Sequence, residues 1–135
     1  MKALTDLSSH QEHLAVAYLA DFYFSVIFRC SPEAVCRLIF TTKGDVWSYG
    51  VLMWEIFSQG SRPHLVTECN QKELKEKLEA GVRLRRPEKC PEEFYKIMKE
   101  MCWKYEPNER PDFQLIAFKV DEISKNLAEK KESTE

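Results

Sequence analysis

The sequence predicts a mainly α-helical domain of four or more helices around one buried central helix. Three observations carry this. Residues 41–60 read TTKGDVWSYGVLMWEIFSQG, and from Val46 to Phe57 the apolar side chains cover every side; such a helix belongs at the centre of a fold. Two later stretches repeat apolar residues at helical spacing: Phe94, Ile97, Met98 and Met101, then Phe113, Ile116, Ala117, Val120, Ile123 and Leu127. Between these stretches stand Gly60, Gly81, Pro91 and Pro107, the residues that punctuate helices.

The elements follow in order. Residues 1–13 are polar and show no clear period. Residues 14–28 are apolar and aromatic, and FYFSVIF is rich in β-formers, which favours a strand or an irregular segment. Ser31-Pro32-Glu33 has the make-up of a helix start, with Ser as N-cap, Pro at the first position and an acid in the first turn. Thr42, with Asp45 three residues on, resembles a capping box at the head of the central helix, and Gly60 ends it. Asn70 caps a charged surface helix whose only apolar pair is Leu74 and Leu78. Glu73 and Lys77 stand there in the favourable i,i+4 order, and Gly81 closes the helix. Pro91 opens the Phe94–Met101 helix and Pro107 stops it. NERPDF turns the chain into the last amphipathic helix, and the tail AEKKESTE is polar and expected to fray.

Composition excludes several classes. A chain of 135 residues fits one domain. Its 20 basic and 22 acidic residues leave a net charge of −2, with no electrostatic footprint for nucleic acid. The cysteines, at 30, 36, 69, 90 and 102, are odd in number and lack C-x-x-C spacing, and His10, His13 and His64 complete no zinc pattern. Reduced, packed thiols in the cytoplasm are the expectation. The apolar run 14–28 is interrupted by Asp21 and falls short of the roughly 18 residues of a membrane span. Asp6, His10 and Glu12 spoil the start as a signal peptide.

Four stretches occur in order at suitable spacing: SPEA, TTKGDVWSYGVLMWEIFSQG, GVRLRRPEKCPEEFYKIMKEMCW and PNERPDF. Together they resemble the C-terminal half of the large lobe of protein kinases, and RLRRPEKCP, YKIM, CW and RPDF give the tyrosine-kinase flavour. The resemblance divides the chain into residues 1–28, which do not match, a partial C-lobe at 29–127, and a polar tail at 128–135. It implies that Glu33, at the place of the A-P-E glutamate, pairs with Arg110 of ERPDF as a buried fork. It implies that Asp45 is the central-helix acid which, in a whole kinase, accepts hydrogen bonds from the catalytic loop. Read locally, Asp45 serves its own helix's free amides. Arg29 falls near the family's peptide-substrate platform, although a lone exposed arginine is the equal alternative. Trp47, Gly50, Trp54 and Trp103 match packing positions.

The family's chemistry needs more than this. Phosphoryl transfer uses a glycine-rich loop, a strand lysine, an H-R-D base and a D-F-G aspartate for magnesium. Glycines at 44, 50, 60 and 81 cannot form G-x-G-x-x-G, no histidine precedes Arg-Asp, and Asp21-Phe22 is followed by Tyr23. No catalytic, cofactor-binding or metal residue is therefore expected here, and ATP and magnesium belong to a complete family member. Smaller departures are Gly44 for the usual serine, Ser31 for the alanine of A-P-E, and RPHLV for the family's loop. The resulting reading is a fragment of a protein tyrosine kinase, inactive by itself. The alternative is a non-catalytic interaction module or decoy, with a protein partner on an exposed apolar helix face. An unrelated small helical protein is the third and weakest reading.

Overall fold

The computed structural model describes residues 13–14, 25–66 and 70–134. Within them the order is α1 (Pro32–Arg37), α2 (Thr42–Phe57), α3 (Gln71–Glu79), α4 (Glu92–Lys96), a π-helical turn (Ile97–Cys102), a 3₁₀ turn (Pro107–Glu109) and α5 (Phe113–Glu132). The described residues contain no strand, and none of their helices is long and apolar enough to cross a membrane.

The expectation of a strand or irregular segment fails at its end. Residues 25–27 are helical, closed by Arg29 N–H to Val26 O and Cys30 N–H to Ile27 O. Ile27 and Phe28 are buried, and burial against a helical core overrides their β propensity. Residues 15–24, the middle of that run, lie outside the described residues.

Helix α2 is the axis. Its N-cap is Thr41, one residue before the expected box, and the Thr41 hydroxyl accepts from Gly44 N–H at 3.4 Å. The third helical position is thus Gly44, which has no side chain to complete a box. Val46, Trp47, Gly50, Val51 and Met53 are buried. The helix is nevertheless not enclosed all round, because Leu52 and Ile56 are 52% and 67% exposed. Past the C-cap Ser58, Gly60 takes φ +84°, and its N–H returns to Glu55 O.

Around this axis, α1 lies against α3, and the π turn lies against α2. Asn70 Oδ1 accepts from Glu73 N–H at 3.1 Å and starts α3, which buries Leu74 and Leu78. Pro91 is the N-cap residue of α4 rather than its first helical residue, a shift within the ordinary uncertainty of helix ends. Of the expected stripe, Ile97 and Met98 are buried while Phe94 and Met101 are partly so. No regular spacing announces the widening to π geometry, in which Trp103 N–H reaches back to Met98 O. That turn sets Cys102 and Trp103 against α2 at Gly50. A Cβ at Gly50 would stand 2.6 Å from Cys102 Cβ and 2.7 Å from Trp103 Nε1. Glycine is what lets the two elements meet.

Helix α5 starts at Asp112, whose carboxylate accepts from Leu115 N–H at 3.0 Å. It runs on to Glu132, into the stretch expected to fray, because AEKKE is made of good helix formers and Lys130 and Lys131 suit the C-terminal dipole. Among its expected apolar stripe only Ile116 is fully buried, and Phe113, Leu115 and Phe118 remain exposed.

Candidate functional site: a buried arginine clasp

The start of α1, the head of α2 and the turn before α5 converge on one guanidinium. Ser31 is the N-cap of α1 by position, with Pro32 first in the helix and Glu33 in its first turn, though the Ser31 hydroxyl makes no capping bond. This turn directs the Glu33 carboxylate inward, where its side chain is 3% exposed. Arg110 follows the 3₁₀ turn, and its side chain is 0% exposed.

Arg110 Nη1 donates to Glu33 Oε1 at 2.6 Å, and Nη2 donates to Glu33 Oε2 at 2.9 Å. The other donors go to main-chain carbonyls: Nε to Lys104 at 2.7 Å, Nη1 to Lys43 at 3.0 Å, and Nη2 to Tyr105 at 3.0 Å. Every N–H of the guanidinium is used. Lys43 answers with its own ammonium, which donates to Arg110 O at 2.5 Å. One side chain therefore ties together chain segments 77 residues apart.

Beneath the fork lies Trp47. Arg110 and Arg83 stand over its ring at 5.1 Å and 5.2 Å from the centroid. Arg83 is held by carbonyls alone, donating to Trp103 O, Leu78 O and Val82 O. Burial and the neighbouring Arg110 charge pull its pKa down. For Glu33, burial pushes the carboxyl up, but the Arg110 hydrogen bonds, a backbone hydrogen bond and the Arg110 charge together outweigh it. The net effect holds the carboxyl below its ordinary value. Cys102, on the π turn, is pushed to about 12 by burial, partly countered by Arg110.

The remaining sequence-selected residues sit elsewhere. Asp45 is exposed, and its carboxylate has no hydrogen bond or ion pair among the described residues. The head of α2 is capped by Thr41 instead. Arg29 makes its own fork, Nε to Glu55 Oε1 at 2.8 Å and Nη2 to Glu55 Oε2 at 3.1 Å. Its Nη1 turns back to Ser25, donating to Oγ at 2.6 Å and to the carbonyl. Trp103 is buried against Gly50, whereas Trp54 is only half-buried and donates from Nε1 to Arg85 O at 2.7 Å. Gly44 is closed in by the α1 turn: a Cβ there would stand 3.1 Å from Ser31 Oγ, where no extra atom is comfortable. Sequence reasoning missed Lys43, Arg83 and the Lys104 and Tyr105 carbonyls. Carbonyl partners leave no mark in residue type, and only the aromatic–basic pairing of Trp47 with Arg83 was in principle readable.

A cleft of about 330 Å³ opens beside the clasp, lined by Cys36, Arg37, Lys75, Glu79, Tyr105 and neighbours. It mixes both charge signs, and the Tyr105 hydroxyl donates to Glu79 Oε1 at 3.1 Å. Burial and the Glu79 contact push Tyr105 to about 12. Among the described residues no cluster of three or more His, Cys, Asp or Glu could hold a metal ion. The clasp is a buried ion pair closed by main-chain carbonyls.

Comparison with known proteins places the chain in a family. The family model described as protein tyrosine and serine/threonine kinase matches residues 11–120. Vascular endothelial growth factor receptor 1 of Gallus gallus is 43% identical over 93 residues, covering 69% of this chain and 7% of the receptor. Ephrin type-A receptor 1 of Homo sapiens is 40% identical over 96 residues, covering 71% of this chain and 10% of the receptor. Tyrosine-protein kinase receptor Tie-1 of Danio rerio is 42% identical over 91 residues, covering 67% of this chain and 48% of the relative. The chain spans a tenth or less of the first two and about half of the third.

Proposed function

Since the chain belongs to the protein tyrosine and serine/threonine kinase family, we propose that it is a C-terminal piece of a tyrosine-kinase catalytic domain. On this reading residues 29–127 form the partial C-lobe, 1–28 stay without an assigned role although the family match begins at residue 11, and 128–135 are a polar tail. The complete domain would transfer the γ-phosphoryl group of ATP to protein tyrosine. This chain supplies the floor on which such a site is built and performs no transfer by itself.

One observation carries the proposal: the Arg110–Glu33 clasp joins the SPEA and ERPDF stretches around Trp47 of α2. All three stretches are those that carry the kinase likeness. The motifs for nucleotide, metal and base are not found in the same 135 residues. Phosphoryl transfer is mostly positioning and charge stabilisation, so without those groups little acceleration remains. The test is an assay of the purified chain with magnesium-ATP and a glutamate–tyrosine copolymer, read with an antibody to phosphotyrosine. The expected signal equals the no-protein blank. Reproducible ATP-dependent phosphotyrosine would contradict the proposal.

A second reading, the interaction module or decoy, is favoured by Leu52 and Ile56, exposed one turn apart on the same face of α2. The rest of a kinase domain, or a protein that imitates it, would cover them. Under this reading Leu52→Glu with Ile56→Glu abolishes partner capture and leaves the melting temperature unchanged. A reducing compartment, the cytoplasm, suits the free thiols at Cys30, Cys36, Cys90 and Cys102.

A further inference from the structure

Past the C-terminal end of α2, the chain forms a second cleft, away from the clasp. Its volume is about 360 Å³, within the range of pockets that hold small ligands or anchor side chains. Trp54 and Phe57 line its apolar side, and Arg85, Arg86, Glu88 and Lys89 line its charged side.

Both rings are already held in place. Trp54 Nε1 donates to Arg85 O at 2.7 Å, which fixes the indole against the loop that carries the cations. Phe57 packs on Phe94 with centroids 5.2 Å apart. An occupant would therefore meet an ordered surface and need not order it first. The cations, by contrast, are unspent. Arg85, Arg86 and Lys89 are exposed and make no ion pair among the described residues; Arg86 donates only to Cys90 O, at 3.5 Å. Elsewhere several lysines of α3 and α5 pair with acids on their own helices, as in Lys75–Glu79, Lys77–Glu73 and Lys125–Asp121. Three cations against one acid form a local positive rim on a chain whose net charge is −2.

We propose that this cleft docks an extended acidic peptide segment, with one aromatic side chain seated against Trp54 and Phe57 and flanking carboxylates on Arg85, Arg86 and Lys89. An aromatic anchor uses the apolar side, and a run of carboxylates uses the rim. A bare phosphate would leave the rings unused. A nucleic acid would meet the acidic remainder of the surface.

The experiment is fluorescence anisotropy of a fluorescein-labelled EEFEE peptide with the complete 135-residue chain at low salt. Expected is saturable binding that weakens as sodium chloride rises. The peptides EEAEE and KKFKK should each bind at least about 10-fold more weakly, the first for want of the ring and the second for its charge. The combined change Arg85→Glu, Arg86→Glu, Lys89→Glu should also weaken EEFEE at least about 10-fold with the melting temperature unchanged. Lys89→Glu alone, at an exposed position, repeats the test in smaller measure if the triple variant fails to fold. Absence of saturable binding overturns the proposal. So does equal affinity for EEAEE, indifference to the charge reversals, or competition by a dT10 oligonucleotide as strong as by unlabelled EEFEE, which marks a general polyanion patch.

Discussion

Two arginine–carboxylate forks in this chain invite comparison, because their chemistry is the same and their surroundings are not. Arg110 meets Glu33 through both carboxylate oxygens, with side chains 0% and 3% exposed. Arg29 meets Glu55 through both oxygens too, with side chains 38% and 21% exposed. At the outer fork, water competes for each charge and screens the pair, so the contact contributes on the order of 1 kcal/mol or less. At the inner fork, both side chains are shut off from bulk solvent, and neither makes a second ion pair among the described residues. The attraction there is largely offset by desolvation. The fork's importance appears when one partner is removed and the other is left buried and unpaired. Geometry alone does not rank two ion pairs; burial and the remaining hydrogen bonds do.

The comparison can be broken most sharply at Arg110. Arg110→Ala strips Glu33 of its partner and leaves the Lys43, Lys104 and Tyr105 carbonyls short of a donor. We expect a loss of about 3–5 kcal/mol in urea unfolding, or failure to fold. Arg86→Ala, at an exposed residue with one weak contact, should lie within about 0.5 kcal/mol of the parent. Similar losses for the two would show that the clasp is not the inner brace described here.

Next in size is Gly50→Ala, which tests packing without touching either fork. The added Cβ collides with Cys102 and Trp103 where α2 meets the π turn. About 1–3 kcal/mol of destabilisation is expected, with no change in pH dependence. A neutral substitution would mean that the two elements can separate freely.

Acid sharpens the contrast further. Glu33 titrates below its ordinary value of 4.5 in the folded chain. Its contribution is therefore complete above that value and is lost as the pH falls through the lower folded value. The chain should lose stability on acidification in this window, and Glu33→Gln should flatten that part of the pH profile. An unchanged acid slope in the variant would place the sensitive carboxylate elsewhere.

The smallest effect belongs to the outer fork. Arg29→Ala or Glu55→Ala should cost about 1 kcal/mol or less, and moderate salt should erase much of the difference.

The helices were largely legible in the sequence because their signals are local. Asn70 before a charged helix, the 94–101 stripe and the all-apolar face of 46–57 each follow from spacing and residue type. The clasp residues came from the resemblance and not from spacing: nothing local links position 33 to position 110. Three features escaped for physical reasons. The capping residue at α2 moved from Thr42 to Thr41 because two adjacent threonines offer the same hydroxyl. The π turn depends on how Cys102 and Trp103 meet Gly50, a long-range fit with no periodic trace. The exposure of Leu52 and Ile56 cannot be read from an apolar helix, since pattern gives affinity for burial and not the presence of a cover.

The most direct measurement is a pair of double-mutant cycles in urea, one on Glu33 and Arg110 and one on Arg29 and Glu55, using alanine at each position. A large coupling of about 2 kcal/mol or more is expected for the buried pair, and under about 1 kcal/mol for the outer pair. Couplings of equal size would contradict the account, because the difference between the two forks would then not lie in their burial.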